Sequence, residues 1–449
     1  MKYFTFLLGI VTVMLTTSCT KFLEEKANAS MVVPRSLEDL QRILDNSRNM
    51  NVGLSSMAEA ASDNYYLTLP QYNSLHVDYR RNYIWDNYEY YYTNDWANGY
   101  SIVYNCNLVL DLLRKIDRTN ENAGQYDQVL GSALFFRAGQ YLNLLWTYAK
   151  GYDESTAGTD LGIVLRESAD FNKKSFRSTV KECYARVEAD LTQAVALLPG
   201  VTVHPNRPGK NSAYGMLARY FLSTRNYPMV AKYAALFLEN KTALMDFNDN
   251  AQVDLRATNP FPKFNKEIDL YQELTVSYLA TARAFVDPSL HNSYEPDDLR
   301  RIAYFNTDGN GITNFKGNYN TEGILFGGIA TDEVMLMHAE GLIRLGQVKV
   351  GLDVLNKLLS KRYKTGSFKS YVLTDQQKAL ELLQQERRKE LLFRGLRWMD
   401  IKRLNLERAN ISITRHLDGK EYILRPNDNR FALPLPHDII LETGMPQNP

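Results

Sequence analysis

Cysteine is nearly absent: 449 residues hold three, at positions 19, 106 and 183. A small scaffold stapled by many disulfides is therefore excluded. Cys106 and Cys183 sit inside helical patterns and read as small buried thiols, with a disulfide between them as the alternative in an oxidising compartment. Histidine is sparse too, with six residues scattered at 76, 204, 291, 338, 416 and 437 and no two at metal-ligand spacing. HExxH and GxSxG do not occur. RPGKNS (207–212) contains Gly-Lys but lacks the earlier glycine and the hydroxyl directly after lysine that a phosphate loop needs. Asn306, Asp308, Asn310 and Gly311 imitate the start of a calcium loop, yet its twelfth position is Gly317 rather than Glu. An excess of one charge is also missing. Lys and Arg number 52 against 51 acids, interspersed and without a basic tail, which argues against nucleic acid as a partner. Beyond the N-terminus no segment approaches eighteen consecutive apolar residues, so no later helix is expected to span a bilayer. None of these patterns implies a cofactor.

What is present begins in the first twenty residues. Lys2 is followed by a charge-free, mostly apolar run from Tyr3 to Leu15, thirteen residues long. As a helix it spans roughly 20 Å, short of a hydrocarbon core of about 30 Å. The small residues Thr16, Thr17 and Ser18 precede Cys19, the signature of a secretory signal ending in a bacterial lipobox. Thr16 stands where Leu is usual, and the alternative is an ordinary signal peptide with an incidental cysteine. Cleavage before Cys19 and acylation of its thiol and amine would supply more than the single chain that anchors only marginally. Losing Lys2 with the signal brings the formal charge from +1 to zero.

The expected organisation is a signal peptide at 1–18, a flexible tether at 19–35 and a single helical domain at 36–449. The domain is broken by irregular insertions at 50–93, 150–176 and 241–330. Ser36 and the acids behind it cap a first helix. From Trp96 onward, Ile102, Val103, Cys106, Val109, Leu110 and Leu113 recur at helical steps. Further amphipathic runs cover 129–149 and 180–198, the latter stopped by Pro199-Gly200. Residues 212–240 and 332–362 each read as helix, short turn, helix, with Ala218 and Ala339 as the small contact residues and turns at Asn226 and Gly346. Such pairs stack in tetratricopeptide fashion, which gives a mostly helical, all-α class with a loop-rich face. A last helix runs from Asp375 to about Phe393, breaks at Gly395 and resumes at Leu396. The proline-bearing final forty residues are expected as extended coil wrapping the helices.

At the C-terminus the residues become specific. QQERRKELLFRGLRWMDIKRL (384–404) resembles the signature of the SusD/RagB family of Bacteroidetes outer-membrane lipoproteins, through Glu386, Arg387, Glu390, Leu391, Gly395, Arg397, Trp398, Asp400 and Arg403. Arg394 departs from it, since an acid is usual there. The tail RFALPLPHDIILETGMPQNP (430–449) and WANGYSIVYNCN (96–107) fit the same family. The motif itself reads as architectural: Glu386 and Glu390 share a helix face, Gly395 permits a left-handed ending, Arg397 and Asp400 pair across the break, and Trp398 packs inward.

The resemblance implies a nutrient-capture lipoprotein without bond chemistry, anchored in the outer membrane through Cys19 and facing the cell exterior. Its implied partners are a SusC-like TonB-dependent transporter and a glycan ligand, with an oligopeptide as the alternative. A helical-repeat scaffold that binds only protein is a third reading. Ligand aromatics in that family often come from the stretch ahead of the Trp96 helix. Here seven of the fourteen positions from Tyr83 to Trp96 are aromatic, within a chain holding 29 Tyr. The expected ligand residues are Asp63, Asn64, Tyr65, Tyr66, Arg81, Trp85 and Tyr88, with Trp85 foremost. Tyr294, Tyr304 and Tyr319 form a second candidate group. Against both stands the possibility that these rings only pack loops onto the helices.

Overall fold

A computed structural model of the chain describes residues 34–87, 89, 94–275, 277–280 and 283–448. Cys19 and most of the 19–35 tether lie outside them. Helix α1 (Leu37–Leu44) opens as the sequence predicts, because the Ser36 side chain accepts from the Asp39 N–H while Asp39 reaches back to Ser36. The long helices follow in order: α2 (Asp95–Leu113), α3 (Ala123–Tyr148), α4 (Val180–Leu197), α5 (Lys210–Ser223) and α6 (Tyr227–Asn240). After the insertion come α7 (Thr331–Arg344), α8 (Val348–Leu359), α9 (Gln376–Glu390) and α10 (Arg397–Leu406). Each of α2 to α8 packs on its successor, and α9 packs on α7. This is the tetratricopeptide-like stacking of helix pairs, in which no pair covers its own apolar face alone.

Burial patterns explain the order. Every residue of α3 from Gly131 to Tyr148 is buried, so this helix is the central post rather than an amphipathic layer. The outer α8 buries one stripe of Leu352, Leu355, Leu358 and Leu359. Ala218 and Ala339 are fully buried as predicted, but close helix approach also uses glycine. A Cβ on Gly341 would sit 2.8 Å from the Ala231 nitrogen, across the junction of α7 with α6. Cys106 and Cys183 are buried free thiols. Among the described residues no helix is long and apolar enough to cross a membrane.

Three expectations need correction. The segment 50–93 is not wholly irregular, for it opens on the end of the short helix Ser47–Met50 and carries the short helices Ser56–Ala60, Leu69–Ser74 and Val77–Tyr83. Helices of four to seven residues cannot show a periodic stripe, which is why the pattern missed them. The C-terminal segment is not plain coil. It forms a hairpin, β3 (Ile413–Leu417) with β4 (Lys420–Leu424), and a short helix α11 (His437–Thr443). The hairpin turn is Asp418-Gly419, both with positive φ (50° and 71°), the dipeptide such two-residue turns prefer. Finally, Arg397 and Asp400 do not pair with each other, as described below. In the 306–313 hairpin, Asp308 accepts from the backbone N–H groups of Asn310 and Ile312, so its carboxylate closes the turn.

Two apolar cores result. One runs through the helical scaffold, and the other lies beneath the loop-rich face, built from Tyr65, Tyr83, Tyr278, Tyr294, Tyr304, Tyr319 and Phe393 among others.

Candidate functional site

The two stretches singled out for ligand contact, 63–97 and the insertion after 241, are joined by a short antiparallel pair. Strand β1 (Tyr65–Tyr66) pairs with β2 (Phe285–Val286), Tyr65 opposite Val286 and Tyr66 opposite Phe285. Because strand side chains alternate, Tyr65 and Tyr66 face opposite ways. Tyr65 is buried; its hydroxyl meets Tyr278 and donates to the Ala60 carbonyl at 2.7 Å. Tyr66 stays half-buried, with Phe285 edge-on at 5.6 Å.

Trp85 is also buried, at 4% exposure. It terminates the helix Val77–Tyr83 with φ 55°, the left-handed position that usually belongs to glycine. The Trp85 N–H bonds the Asn82 carbonyl and the Asp86 N–H bonds that of Arg81, a Schellman ending. The strain of such a φ for a bulky residue costs on the order of 1–2 kcal/mol. The indole Nε1 donates to the Ala61 carbonyl at 2.9 Å, and its ring lies 5.5 Å from the Arg415 guanidinium. Arg415, from β3, also covers Tyr65 at 4.8 Å and Tyr83 at 4.2 Å and donates to the carbonyls of Tyr65 and Ser62. One cation is thus held among three aromatic faces. No motif in the sequence marked it.

Asp63 and Asn64 turn inward as well. Asp63 accepts a two-pronged pair of bonds from Arg397, both 2.7 Å, and lies 3.3 Å from Arg388. Burial opposes its ionisation, but the charges of Arg397 and Arg388 hold it well below the usual carboxylate range. Asn64 donates to Glu59, whose other oxygen accepts from the Gly395 N–H at 3.0 Å. Burial pushes Glu59 up to about 7 despite these bonds. Tyr294, Tyr304 and Tyr319 are buried at 1–2% exposure and belong to the second core. Arg81 is exposed and donates to the Asn87 carbonyl, and Tyr88 lies outside the described residues. What meets solvent here is a rim the sequence reading passed over. Tyr72 and Tyr79 stand half-exposed against the buried rings of Tyr83 (6.0 Å) and Tyr278 (5.3 Å), with Tyr422 partly buried beside the same core. Arg81, Asp86 and Asn87 are exposed nearby in sequence.

Family comparison places this architecture. Residues 21–222 match a SusD-like family described as "Starch-binding associating with outer membrane", and residues 331–432 match the SusD family. The chain belongs to the SusD family. No curated protein matches it in sequence. Solved structures of similar fold include a SusD superfamily protein of Bacteroides vulgatus (18% identity, TM-score 0.76, spanning 93% of this chain and 99% of that one). A SusD superfamily protein of Bacteroides thetaiotaomicron aligns at 18% identity and TM-score 0.75 over 92% and 100% of the two chains. A SusD-like carbohydrate binding protein of Bacteroides vulgatus aligns at 19% and 0.68 over 91% and 97%.

In this SusD-family chain the C-terminal motif holds the 63–66 segment in place. Gly395 is left-handed (φ 75°) and Trp398 is 1% exposed, as predicted. Glu386 and Glu390 share a face and both accept from the fully buried Arg300, at 2.6 and 2.9 Å. Asp400 pairs with Arg387 and Arg403, each at 2.8 Å, while Arg397 reaches across to Asp63. The departure at Arg394 is absorbed by Asp332 at 3.2 Å and by the rings of Tyr319 and Phe326, at 5.0 and 4.4 Å.

Proposed function

We propose that this protein captures a carbohydrate at the bacterial surface and hands it to a SusC-like TonB-dependent transporter without breaking any bond in it. The observation that carries the reading is the tyrosine rim of Tyr72 and Tyr79, mounted on a rigid aromatic core beside exposed Arg81, Asp86 and Asn87. Tyrosine faces suit the C–H faces of sugar rings, and their wet hydroxyls and the neighbouring polar groups suit sugar hydroxyls. The starch-binding description of the matched family and the carbohydrate-binding relative point the same way. Trp85, Tyr65 and Asn64 then support the surface from beneath rather than touching the ligand.

The same proposal covers the unseen end of the chain. Residues 1–18 are a signal peptide, Cys19 carries the lipid that anchors the protein in the outer membrane facing outward, 19–35 is the tether, and 36–449 folds as one domain.

Isothermal titration against a glycan panel tests the capture step. Binding to at least one polysaccharide is expected, weakened about tenfold by Tyr72→Ala or Tyr79→Ala, the loss of roughly 1.4 kcal/mol of stacking. Silence across all glycans with tight binding of oligopeptides would overturn it.

A further inference from the structure

A groove whose lining includes none of the rim tyrosines opens on the helical scaffold. It is a half-open groove of about 330 Å³ between α2, the 164–175 loop and α11. Its floor is an aromatic ladder at helical spacing: Trp96 and Tyr100 touch at 4.7 Å between ring centres, and Tyr104, one turn further along α2, is 44% exposed. Across the groove Phe171 presents a ring that is 79% exposed. An aromatic side chain left that bare, facing a concave apolar surface, is the exception among soluble proteins.

The walls are fixed. The Tyr100 hydroxyl donates to the Val164 carbonyl at 2.7 Å and accepts from the Val164 N–H at 2.8 Å. Asn107 donates to the Arg166 carbonyl at 2.7 Å, and the Ala169 N–H donates to Asp111 at 2.9 Å. On the far side, Gly444 ends α11 in the left-handed conformation, and Asn448 ties the tail to the carbonyls of Tyr148 and Leu433. A groove pinned this way loses little entropy when a ligand enters.

Its charge selects among ligands. Asp170, Asp438 and Glu442 line the groove against a single cation, Arg166. The guanidinium of Arg166 is occupied by the Lys173 carbonyl and the Ser175 hydroxyl. Anionic ligands are disfavoured, and a purely aliphatic one offers the carboxylates no donor beyond the bonds that Asp170 and Asp438 already accept from Asn172 and Ile439. A ring with an apolar face and a protonated amine satisfies both sets of groups, stacking on Tyr104 or Phe171 while the amine meets the acids. We propose that this groove is a second binding site, specific for amine-bearing saccharides, separate from the tyrosine rim and independent of what binds there.

The experiment is calorimetric titration of the full chain with glucosamine oligosaccharides and with their N-acetylated counterparts, in mildly acidic buffer that keeps the amines protonated. The glucosamine oligomers are expected to bind at least about fivefold more tightly than the acetylated ones, the scale of one exposed ion pair. Glu442→Gln should remove most of that preference and Tyr104→Ala should weaken both. Glu442 and Tyr104 are exposed, and an unchanged melting curve checks the fold. The assignment is overturned by no binding of glucosamine oligomers, by equal affinity for the acetylated forms, or by undiminished binding in Tyr104→Ala. A concentration-dependent dimer abolished by Phe171→Ala would also overturn it, since the groove would then be a contact between copies.

Discussion

Replacing Asp63 by Asn tests whether the C-terminal motif is a clamp on the 63–66 segment. The Asp63–Arg397 pair has two 2.7 Å bonds, and the two side chains are 16% and 12% exposed. Breaking a fully buried pair by removing one partner costs about 3–5 kcal/mol, whereas exposed pairs contribute about 0–1. This pair lies nearer the buried limit, and the substitution strands two guanidiniums, so a loss of about 2–3 kcal/mol is expected. For a chain of this size that is a fall in melting temperature of roughly 2–3 °C. A double-mutant cycle with Arg397→Gln, followed by chemical denaturation, should return a coupling energy of about 2 kcal/mol. The acid limb gives a second readout. Asp63 is ionised in the folded state below its ordinary range, so its contribution is fully present above a pH near the unfolded value of 3.8 and is lost as pH falls further. Asp63→Asn should flatten that limb. Additive single effects, or an Asp63→Asn protein that melts with the wild type and keeps its acid limb, would refute the clamp.

Other perturbations separate packing from contact. Trp85→Ala should cost about 3–5 kcal/mol by denaturation, as expected for a buried aromatic, with glycan affinity changed only through loss of fold. Gly341→Ala should destabilise by about 1–3 kcal/mol, because the methyl would press on the Ala231 backbone and outweigh alanine's higher helix propensity; calorimetric melting checks it. Lys402 is buried in α10, donating to the carbonyls of Trp146 and Ala149, and burial pulls its ammonium down to about 7. Between that value and the ordinary 10.5 the unfolded chain holds the extra proton, so this residue makes stability rise with pH by up to about 1 kcal/mol per unit. The difference between wild type and Lys402→Met, followed by denaturation from neutral to alkaline pH, should trace that slope.

The long helices were legible because burial on one side of a ten-residue element leaves a stripe in sequence. Ser36, Thr179 and Asp375 cap helices near where the pattern predicts them. The short helices of 47–83 and the Asp418-Gly419 hairpin were not, since each is fixed by one or two turn residues and by distant packing. The site was harder still. Tyrosine abundance correctly drew attention to 63–97, but composition cannot say which side of a strand or turn a ring occupies. Tyr65 and Tyr66 are neighbours with opposite fates. Arg415 organises three of the rings from 330 residues away or more, and only the fold brings it there. The C-terminal motif read correctly as architectural, but Arg397 finds its acid in Asp63 instead of Asp400, because Gly395 swings α10 toward the loop face.

That last pairing joins residues 334 positions apart. A ribosome adding about 5–20 residues per second delivers Arg397 roughly 20–70 s after Asp63. Until then the segment that carries the tyrosine rim holds only to partners made earlier, such as Phe285 and Tyr278. The loop face is thus pinned only after nearly all the helices have been made, and a chain truncated before the motif would carry that face unclamped.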